Sequence, residues 1–288
     1  MSLDRRSFLR RTGIGAAAAG AVAAGLAPSA NAQSSVPGLP ELSGLLPGGG
    51  PITNAGSSPQ LGTIIDYSGG IPSAGAVRGA GHMGAIRYCS NRRPGAEWMV
   101  GKPLGRPEAD DFRANGLTVT SCYQFGKDAT ADWRGGEGAA NHHAPIGIGI
   151  HYGAGGPAGA AMYVAIDDNP SRGDFDNLIA PYLRRWDQLL RGAGLVLGVY
   201  CNAPTIDWCR GQNLGTYYWQ HGWGSNGIIH PLATMYQIPG HNPSIGGVPS
   251  DVNRVYSVNY GQWGTSGGLS LPPLPELPQM PDLGSVQG

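Results

Sequence analysis

The stretch YVAIDDNPS, residues 163–171, has the pattern of a buried strand that ends in polar residues. An apolar run stops at two adjacent carboxylates, Asp167 and Asp168, which Asn169 and a proline turn follow. Continuous apolar runs are typical of strands that are covered on both faces, as in parallel sheets. The carboxylates are therefore either part of a functional edge or only the polar end of a core strand.

Seven more β-rich apolar runs recur along the chain. They are TIIDYSG (63–69), GAIRYCS (84–90), LTVTSCYQF (117–125), LVLGVYCN (195–202), TYYWQHGW (216–223), ATMYQIPG (233–240) and NRVYSV (253–258). With AMYVAIDD (161–168) they give eight candidate strands in one domain, the number that closes a (β/α)8 barrel.

Helix signals separate the earlier runs only. RPEADDFRANG, residues 106–116, has a proline near its start, acids in its first turn and a glycine after its end, which are helix start and stop signals. In residues 175–194 the apolar side chains fall on one helical face. The Gly-, Pro- and Asn-rich segments 224–232 and 239–251 fit no amphipathic helix. The pattern predicts an α/β fold, an irregular TIM-type (β/α) barrel whose helices are missing between the last three strands.

The N-terminus has the features of an export signal. Paired arginines, Arg5 and Arg6, precede an uncharged Ala/Gly-rich run and the small-x-small sequence Ala-Asn-Ala at residues 30–32. Twin arginines before a weakly apolar core indicate a Tat signal rather than a Sec signal. We therefore expect residues 1–32 to be removed, the Tat translocase to be a partner during export, and the mature chain to be extracellular or associated with the cell wall. The alternatives are an ordinary basic N-terminus or a membrane anchor.

Both ends of the remaining chain are of low complexity. Residues 33–60 and 265–288 are rich in Pro, Gly and Leu, and both contain Leu-Pro-Glu-Leu. Such segments build no core, so we interpret them as a linker and a tail, or else as segments that dock on an envelope partner. The globular domain is then residues 61–264.

Composition excludes several functions. Residues 1–32 hold four arginines and one aspartate, so the 19 basic and 19 acidic residues of the whole chain become 15 and 18, a net charge of −3. This charge does not favour nucleic acid. The histidines and cysteines lack metal-ligand spacing, no P-loop or G-x-S-x-G elbow occurs, and no later segment is apolar enough to span a membrane. We expect no metal, no cofactor and no stable membrane span. Outside the cytoplasm the four cysteines allow one or two disulfides.

Polar and aromatic residues follow the predicted strands at their carboxyl ends, which face the active site in a (β/α)8 barrel. They are Asp66, Ser68, Arg87, Tyr88, Tyr123, Gln124, Asp167, Asn169, Tyr200, Asn202, Trp219, His221 and Gln237. Carboxylates that hold hydroxyl groups, beside aromatic faces that stack on sugar rings, indicate a carbohydrate site.

These motifs resemble a known family. IDYSGG, IRYCS, VAIDD, GVYCN and MYQIPG…DVNR are similar to the glycoside-hydrolase-like domain, of unknown function, in Tat-exported actinobacterial envelope proteins. The chain is more distantly similar to family 25 glycoside hydrolases, the Chalaropsis-type lysozymes. Their first-strand Asp-x-Ser is matched by Asp66 and Ser68. Their seventh-strand aromatic-Gln is matched by Tyr236 and Gln237, and their last-strand Asp-x-Asn by Asp251 and Asn253. The resemblance implies an irregular barrel that acts on a cell-envelope glycan such as peptidoglycan.

The chain departs from that family at one position. The lysozymes carry Asp-x-Glu on the fourth strand with Glu as general acid, and here Asp167 and Asn169 occupy those positions. Alternation along a strand puts Asp167 and Asn169 on one face and sends Asp168 to the other, where it is solvated or caps a turn. An amide cannot protonate a leaving glycosidic oxygen, so the usual acid is absent.

Two functional hypotheses remain open. In the first, the chain is a glycoside hydrolase: Asp167 is the nucleophile or transition-state stabiliser, and Asp66 orients substrate or shares acid/base work. The predicted substrate-binding residues are Arg87, Tyr88, Tyr123, Asn169, Tyr200, Trp219, Gln237 and Asp251. In the second, the same pocket only binds glycan, as a non-catalytic envelope module.

Structural roles are the alternative for several of these side chains. Asp66 and Asp251 could cap turns, and Tyr123, Tyr200 and Trp219 could pack in the core. Burial of the Arg87 charge without a partner would cost free energy, so we expect Arg87 to pair with Asp66 or Asp167.

Overall fold

The computed structural model describes residues 60–264, and all eight predicted runs are strands in it. They are β1 (Gly62–Asp66), β2 (Gly84–Tyr88), β3 (Thr118–Tyr123), β4 (Ala161–Ala165), β5 (Val196–Cys201), β6 (Tyr217–Gln220), β7 (Ala233–Gln237) and the last strand, β10 (Asp251–Val255). Two short strands, β8 (Ser244–Ile245) and β9 (Val248–Pro249), pair as a hairpin before β10. The predicted signal peptide, the tail and the linker up to residue 59 lie outside the described residues.

The eight long strands close into a barrel in the order β1-β10-β7-β6-β5-β4-β3-β2. Strands β1 to β7 run parallel, whereas β10 is antiparallel to both of its neighbours, β1 and β7. The cause is the missing late helix: residues 238–250 contain only loop and the β8–β9 hairpin, so nothing returns the chain to the other end of the barrel. The last strand therefore starts at the end where β7 stops.

Helices cover the barrel between its first six strands, including the two predicted within residues 106–116 and 175–194. They are α1 (Ala74–Gly79), α2 (Arg106–Ala114), α3 (Gly136–Gly153), α4 (Arg172–Asp174), a π-helical turn (Phe175–Ile179), α5 (Ala180–Gly192) and α6 (Ala203–Gly211). Within residues 60–264 the segments between β6, β7 and β10 hold no helix, which confirms the predicted irregularity. The part of the chain that is described has no helix long and apolar enough to cross a bilayer.

Alternation along each strand creates two cores. The barrel interior is filled by side chains such as Ile64, Ile86, Tyr163 and Trp219. The opposite faces of the strands pack against the helices in a larger outer core. Which of the two cores a strand residue enters decides whether it can reach the mouth, the end of the barrel at which β1 to β7 stop.

The outer core includes the apolar face of α5, on which Tyr182, Leu183 and Trp186 are fully buried. All four cysteines, Cys89, Cys122, Cys201 and Cys209, are buried free thiols. The disulfides that an exported chain allows are therefore not formed in this structure.

Candidate active site at the barrel mouth

Asp66, the last residue of β1, is the centre of a hydrogen-bond network at the mouth. Its side chain is buried, with 1% of the residue exposed. The carboxylate accepts hydrogen bonds from Tyr88 Oη at 3.2 Å, Gln237 Nε2 at 3.1 Å and Asn253 Nδ2 at 2.9 Å. Three strands thus converge on one carboxylate.

A second carboxylate lies directly across the sheet from Asp66. In the antiparallel pairing of β1 with β10, Asp66 is opposite Asp251, and side chains opposite each other on neighbouring strands point to the same face. Burial, and then the charge of Asp251, raise the pKa of Asp66 from 3.8 to about 7, against the opposing effect of its three hydrogen bonds. Near neutral pH a large fraction of Asp66 therefore stays protonated.

Aromatic rings extend the network into the barrel. Tyr200 donates its hydroxyl hydrogen to Gln237 Oε1 at 2.5 Å, and Trp219 Nε1 donates to Asn253 Oδ1 at 2.8 Å. The Tyr200 and Trp219 rings lie 4.1 Å apart between centroids. The two amides therefore connect both rings to Asp66, and their orientation is fixed by these bonds.

Asp167 lies just beyond the end of β4 in a different electrostatic environment. Its Oδ2 accepts a hydrogen bond from Gln124 Nε2 at 3.0 Å and is 3.0 Å from Lys127 Nζ. Burial raises the pKa of this carboxyl, but the charge of Lys127, that of His221 in its protonated form at low pH, and the hydrogen bonds outweigh burial and lower the pKa below 3.8. Asp167 is ionised at neutral pH.

The loop that carries these partners of Asp167 is held by another aspartate. Asp132 accepts hydrogen bonds from the backbone N–H groups of Phe125 at 2.8 Å and Gly126 at 2.7 Å. Those residues lie between Gln124 and Lys127, so Asp132 fixes the position of both side chains relative to Asp167.

Asp168 and Asn169 take separate partners. Asp168 lies 3.5 Å from Arg134 Nη2, and Asn169 Oδ1 accepts from Asn202 Nδ2 at 2.9 Å. Because β4 ends at Ala165, strand alternation does not extend to these positions. The two neighbouring aspartates nonetheless do not act as a pair, since Asp167 is bound to Lys127 instead.

A family model described as the Rv2525c-like, glycoside hydrolase-like domain matches residues 75–256. This chain belongs to that family. It is 48% identical over 208 residues to the Mycobacterium tuberculosis protein named "Putative peptidoglycan hydrolase Rv2525c", a match over 72% of this chain and 86% of the relative.

Solved structures agree with this assignment to the Rv2525c-like family. The crystal structure of the Tat-secreted Mycobacterium tuberculosis protein Rv2525c in complex with L-tartrate has a TM-score of 0.68, at 48% identity, over 70% of this chain and 99% of that chain. A second crystal form, in complex with HEPES, gives 0.67 over the same shares. The family resemblance predicted from the strand-end motifs is confirmed.

Two predicted site residues of this Rv2525c-like barrel lie in the outer core instead. Arg87 is fully buried, and its Nε is 2.5 Å from Glu108 Oε1 of α2. The prediction that Arg87 pairs with Asp66 or Asp167 is therefore wrong. Arg87 follows the interior residue Ile86 on β2, so alternation turns it toward the helices.

Tyr123 is the second predicted site residue that lies in the outer core. Its hydroxyl lies 2.7 Å from His143 Nδ1 on α3, and its ring is 5.0 Å from that of Trp186 on α5. It is 1% exposed. This is the position of a packing residue between β3 and the helices, the alternative that the sequence left open for it.

The sequence assigns no role to four residues of the mouth. Gln124 and His221 stand out only as polar residues that follow strands, and Asn253 only as part of the Asp-x-Asn motif. Lys127 lies in a loop and carries no sequence signal. Among residues 60–264, no three or more His, Cys, Asp or Glu side chains are grouped to hold a metal ion.

Proposed function

We propose that this protein is exported and hydrolyses a cell-envelope glycan, such as peptidoglycan, at the mouth of its barrel. One observation carries the proposal: the mouth holds Asp66, whose pKa burial and the neighbouring Asp251 raise to about 7, and, separately, Asp167, whose pKa is lowered. Groups whose environments drive their pKa values apart are the arrangement that acid/base catalysis needs.

Glycoside hydrolysis requires one carboxyl group that protonates the leaving oxygen and one that acts as base or nucleophile. We assign the first role to the Asp66–Asp251 pair, in which Asp251 is the less buried member. We assign the second, as nucleophile or transition-state stabiliser, to Asp167. Tyr88, Tyr200, Trp219 and Gln237 would orient the sugar, directly or through the network that they form.

The site of action follows from two separate observations. The N-terminal twin arginines have the pattern of a Tat signal, and the relative of known structure is described as Tat-secreted. The relative's name refers to peptidoglycan. We therefore propose export by the Tat translocase and a glycan of the cell wall as the substrate.

A non-catalytic glycan-binding module is the second candidate. It is favoured by Asn169, which stands where the related lysozymes carry their acid and is engaged with Asn202. In this alternative the carboxylates hold sugar hydroxyls and no bond is cleaved.

Purified protein incubated with peptidoglycan sacculi distinguishes the two. Hydrolysis predicts new reducing ends from the wild type, loss of nearly all of this activity in Asp167→Asn, and retained activity in the matched control Asp168→Asn. Co-sedimentation with sacculi without release of reducing ends by any variant would support the binding module. If the protein neither releases reducing ends nor co-sediments with sacculi, that result contradicts both hypotheses.

A further inference from the structure

The segment His221–Ser225, of sequence HGWGS, follows β6 at the mouth and carries an exposed tryptophan. Trp223 is 54% exposed, whereas Trp219 is 1% exposed and His221 4% exposed. Ring centroids are 4.1 Å apart for Trp219 and Tyr200, 5.0 Å for Tyr200 and His221, and 6.4 Å for His221 and Trp223. A continuous row of rings thus leads from the barrel interior to solvent and ends at an indole.

This turn is held tightly in place. Ser225 Oγ donates to the carbonyl of His221 at 2.8 Å and accepts from the N–H of Ala203 at 3.0 Å. Gly224 has a φ of +71°, and a Cβ there would lie 2.2 Å from Asn169 Oδ1. The Asn169–Asn202 pair therefore packs directly beneath the residue next to Trp223.

His221 presents an acceptor with no partner in the described part of the chain. Its Nε2 lies 3.3 Å from the carbonyl oxygen of Ile166, and a carbonyl only accepts, so Nε2 carries the hydrogen. Burial lowers the pKa of His221, and the neutral ring leaves a lone pair on Nδ1. That atom is buried and, within residues 60–264, has no hydrogen-bond partner.

We propose that the His221–Ser225 turn is a sugar subsite beside Asp167, in which a pyranose ring stacks on Trp223 and a hydroxyl group donates to His221 Nδ1. Buried polar groups are normally satisfied, and a ligand hydroxyl is the donor that fits a neutral acceptor at the edge of an aromatic surface. Asn169 is then a positioning residue: it supports the turn that presents Trp223, in place of supplying a proton.

The inference rests on the proposed function, because it assigns part of the same glycan site. Isothermal titration of the full mature chain with two probes, soluble uncross-linked peptidoglycan strands and an N-acetylglucosamine tetramer, tests it. For whichever probe the wild type binds, Trp223→Ala should weaken the affinity about tenfold, because apolar contact is lost. Trp223→Phe should restore most of that affinity. His221→Gln keeps a donor toward Ile166 and moves the side-chain acceptor away from the position of Nδ1, and it should weaken binding about three- to tenfold.

The matched control is Val258→Ala. Val258 is also exposed, but it follows the end of β10 that pairs with the start of β1, at the opposite end of the barrel, so affinity should not change. Wild-type affinity in Trp223→Ala and His221→Gln, with binding lost in Asp167→Asn, would overturn the subsite and leave the proposed function intact. If the wild type binds neither probe, the result contradicts both the subsite and the proposed function.

Discussion

Asp66 and Asp251 stand opposite each other on the antiparallel strands β1 and β10, at the mouth of the barrel. The reversed direction of β10 produces this juxtaposition. In a fully parallel barrel Asp251, the first residue of its strand, would lie at the far end. The loss of the late helices thus has a chemical consequence, since it brings a further carboxylate to the mouth and raises the pKa of Asp66.

The first prediction concerns the protonation of Asp66. Its carboxyl ¹³C resonance should titrate near pH 7 in the folded protein, because burial and Asp251 favour the neutral form. Asp251→Asn removes one of these causes and should lower the measured pKa. A midpoint near 4 in the wild type would contradict the assignment of the proton to this pair.

Stability should follow the same titration. The folded state binds this proton more tightly than the unfolded state. The contribution of Asp66 to the free energy of unfolding therefore falls as the pH rises from 3.8 to about 7. Above about pH 7 this contribution changes no further. Asp66→Asn should abolish that decline, which is at most on the order of 4 kcal/mol. Urea unfolding from pH 4 to pH 8 measures it, and parallel curves for the two proteins would count against the prediction.

Lys127 should set the protonation of Asp167. Lys127→Gln removes the charge that most strongly lowers the pKa of this carboxyl, so the pKa should rise and the acidic limb of the activity or binding profile should move to higher pH. The control is Arg134→Gln, because Arg134 pairs with Asp168 at 3.5 Å. Equal shifts in the two variants would argue against a specific Lys127–Asp167 interaction.

Arg87 should matter for stability. Arg87→Met leaves Glu108 buried without its partner, which should cost about 3–5 kcal/mol of unfolding free energy. Arg106→Met removes an exposed ion pair with Asp110 and should cost less than about 1 kcal/mol. Similar midpoints for both variants in urea would contradict the burial of the Arg87–Glu108 pair.

Gly224 should tolerate no side chain. Gly224 and Gly227 both have positive φ, +71° and +76°, but a Cβ at Gly227 meets no atom within 4 Å, whereas at Gly224 it meets Asn169 and Asn202. Gly224→Ala should therefore cost about 1–3 kcal/mol more than Gly227→Ala. Thermal unfolding compares them, and equal losses would show that the turn is not tightly packed on Asn169.

The barrel fold can be predicted from the sequence because the signals for its strands and helices are local. Apolar runs and missing helix patterns identify strands and loops, and alternation is readable wherever a strand boundary is known. The direction of β10 follows from the absence of a return helix, which the sequence also shows.

The site was harder to predict. Arg87 and Tyr123 lie at the ends of strands, which predicts a place at the mouth, yet each follows an interior residue and turns outward. Lys127 and His221 reach Asp167 from loops whose course depends on tertiary contacts. One example is the pair of hydrogen bonds that Asp132 accepts from the backbone after β3. No periodicity in the sequence encodes those contacts.

The measurement that tests the central claim most directly uses the seven tryptophans as reporters of where a glycan binds. In a ¹⁵N-labelled sample titrated with soluble peptidoglycan strands, the indole resonances of Trp219 and Trp223 should shift together and saturate. Trp223 faces solvent at the mouth, and Trp219 is joined through Asn253 to Asp66. Trp263, which pairs with Val119 near the start of β3, should not move. Saturable shifts at Trp263 with Trp219 and Trp223 unchanged, or no shifts at all, would contradict a glycan site at the barrel mouth.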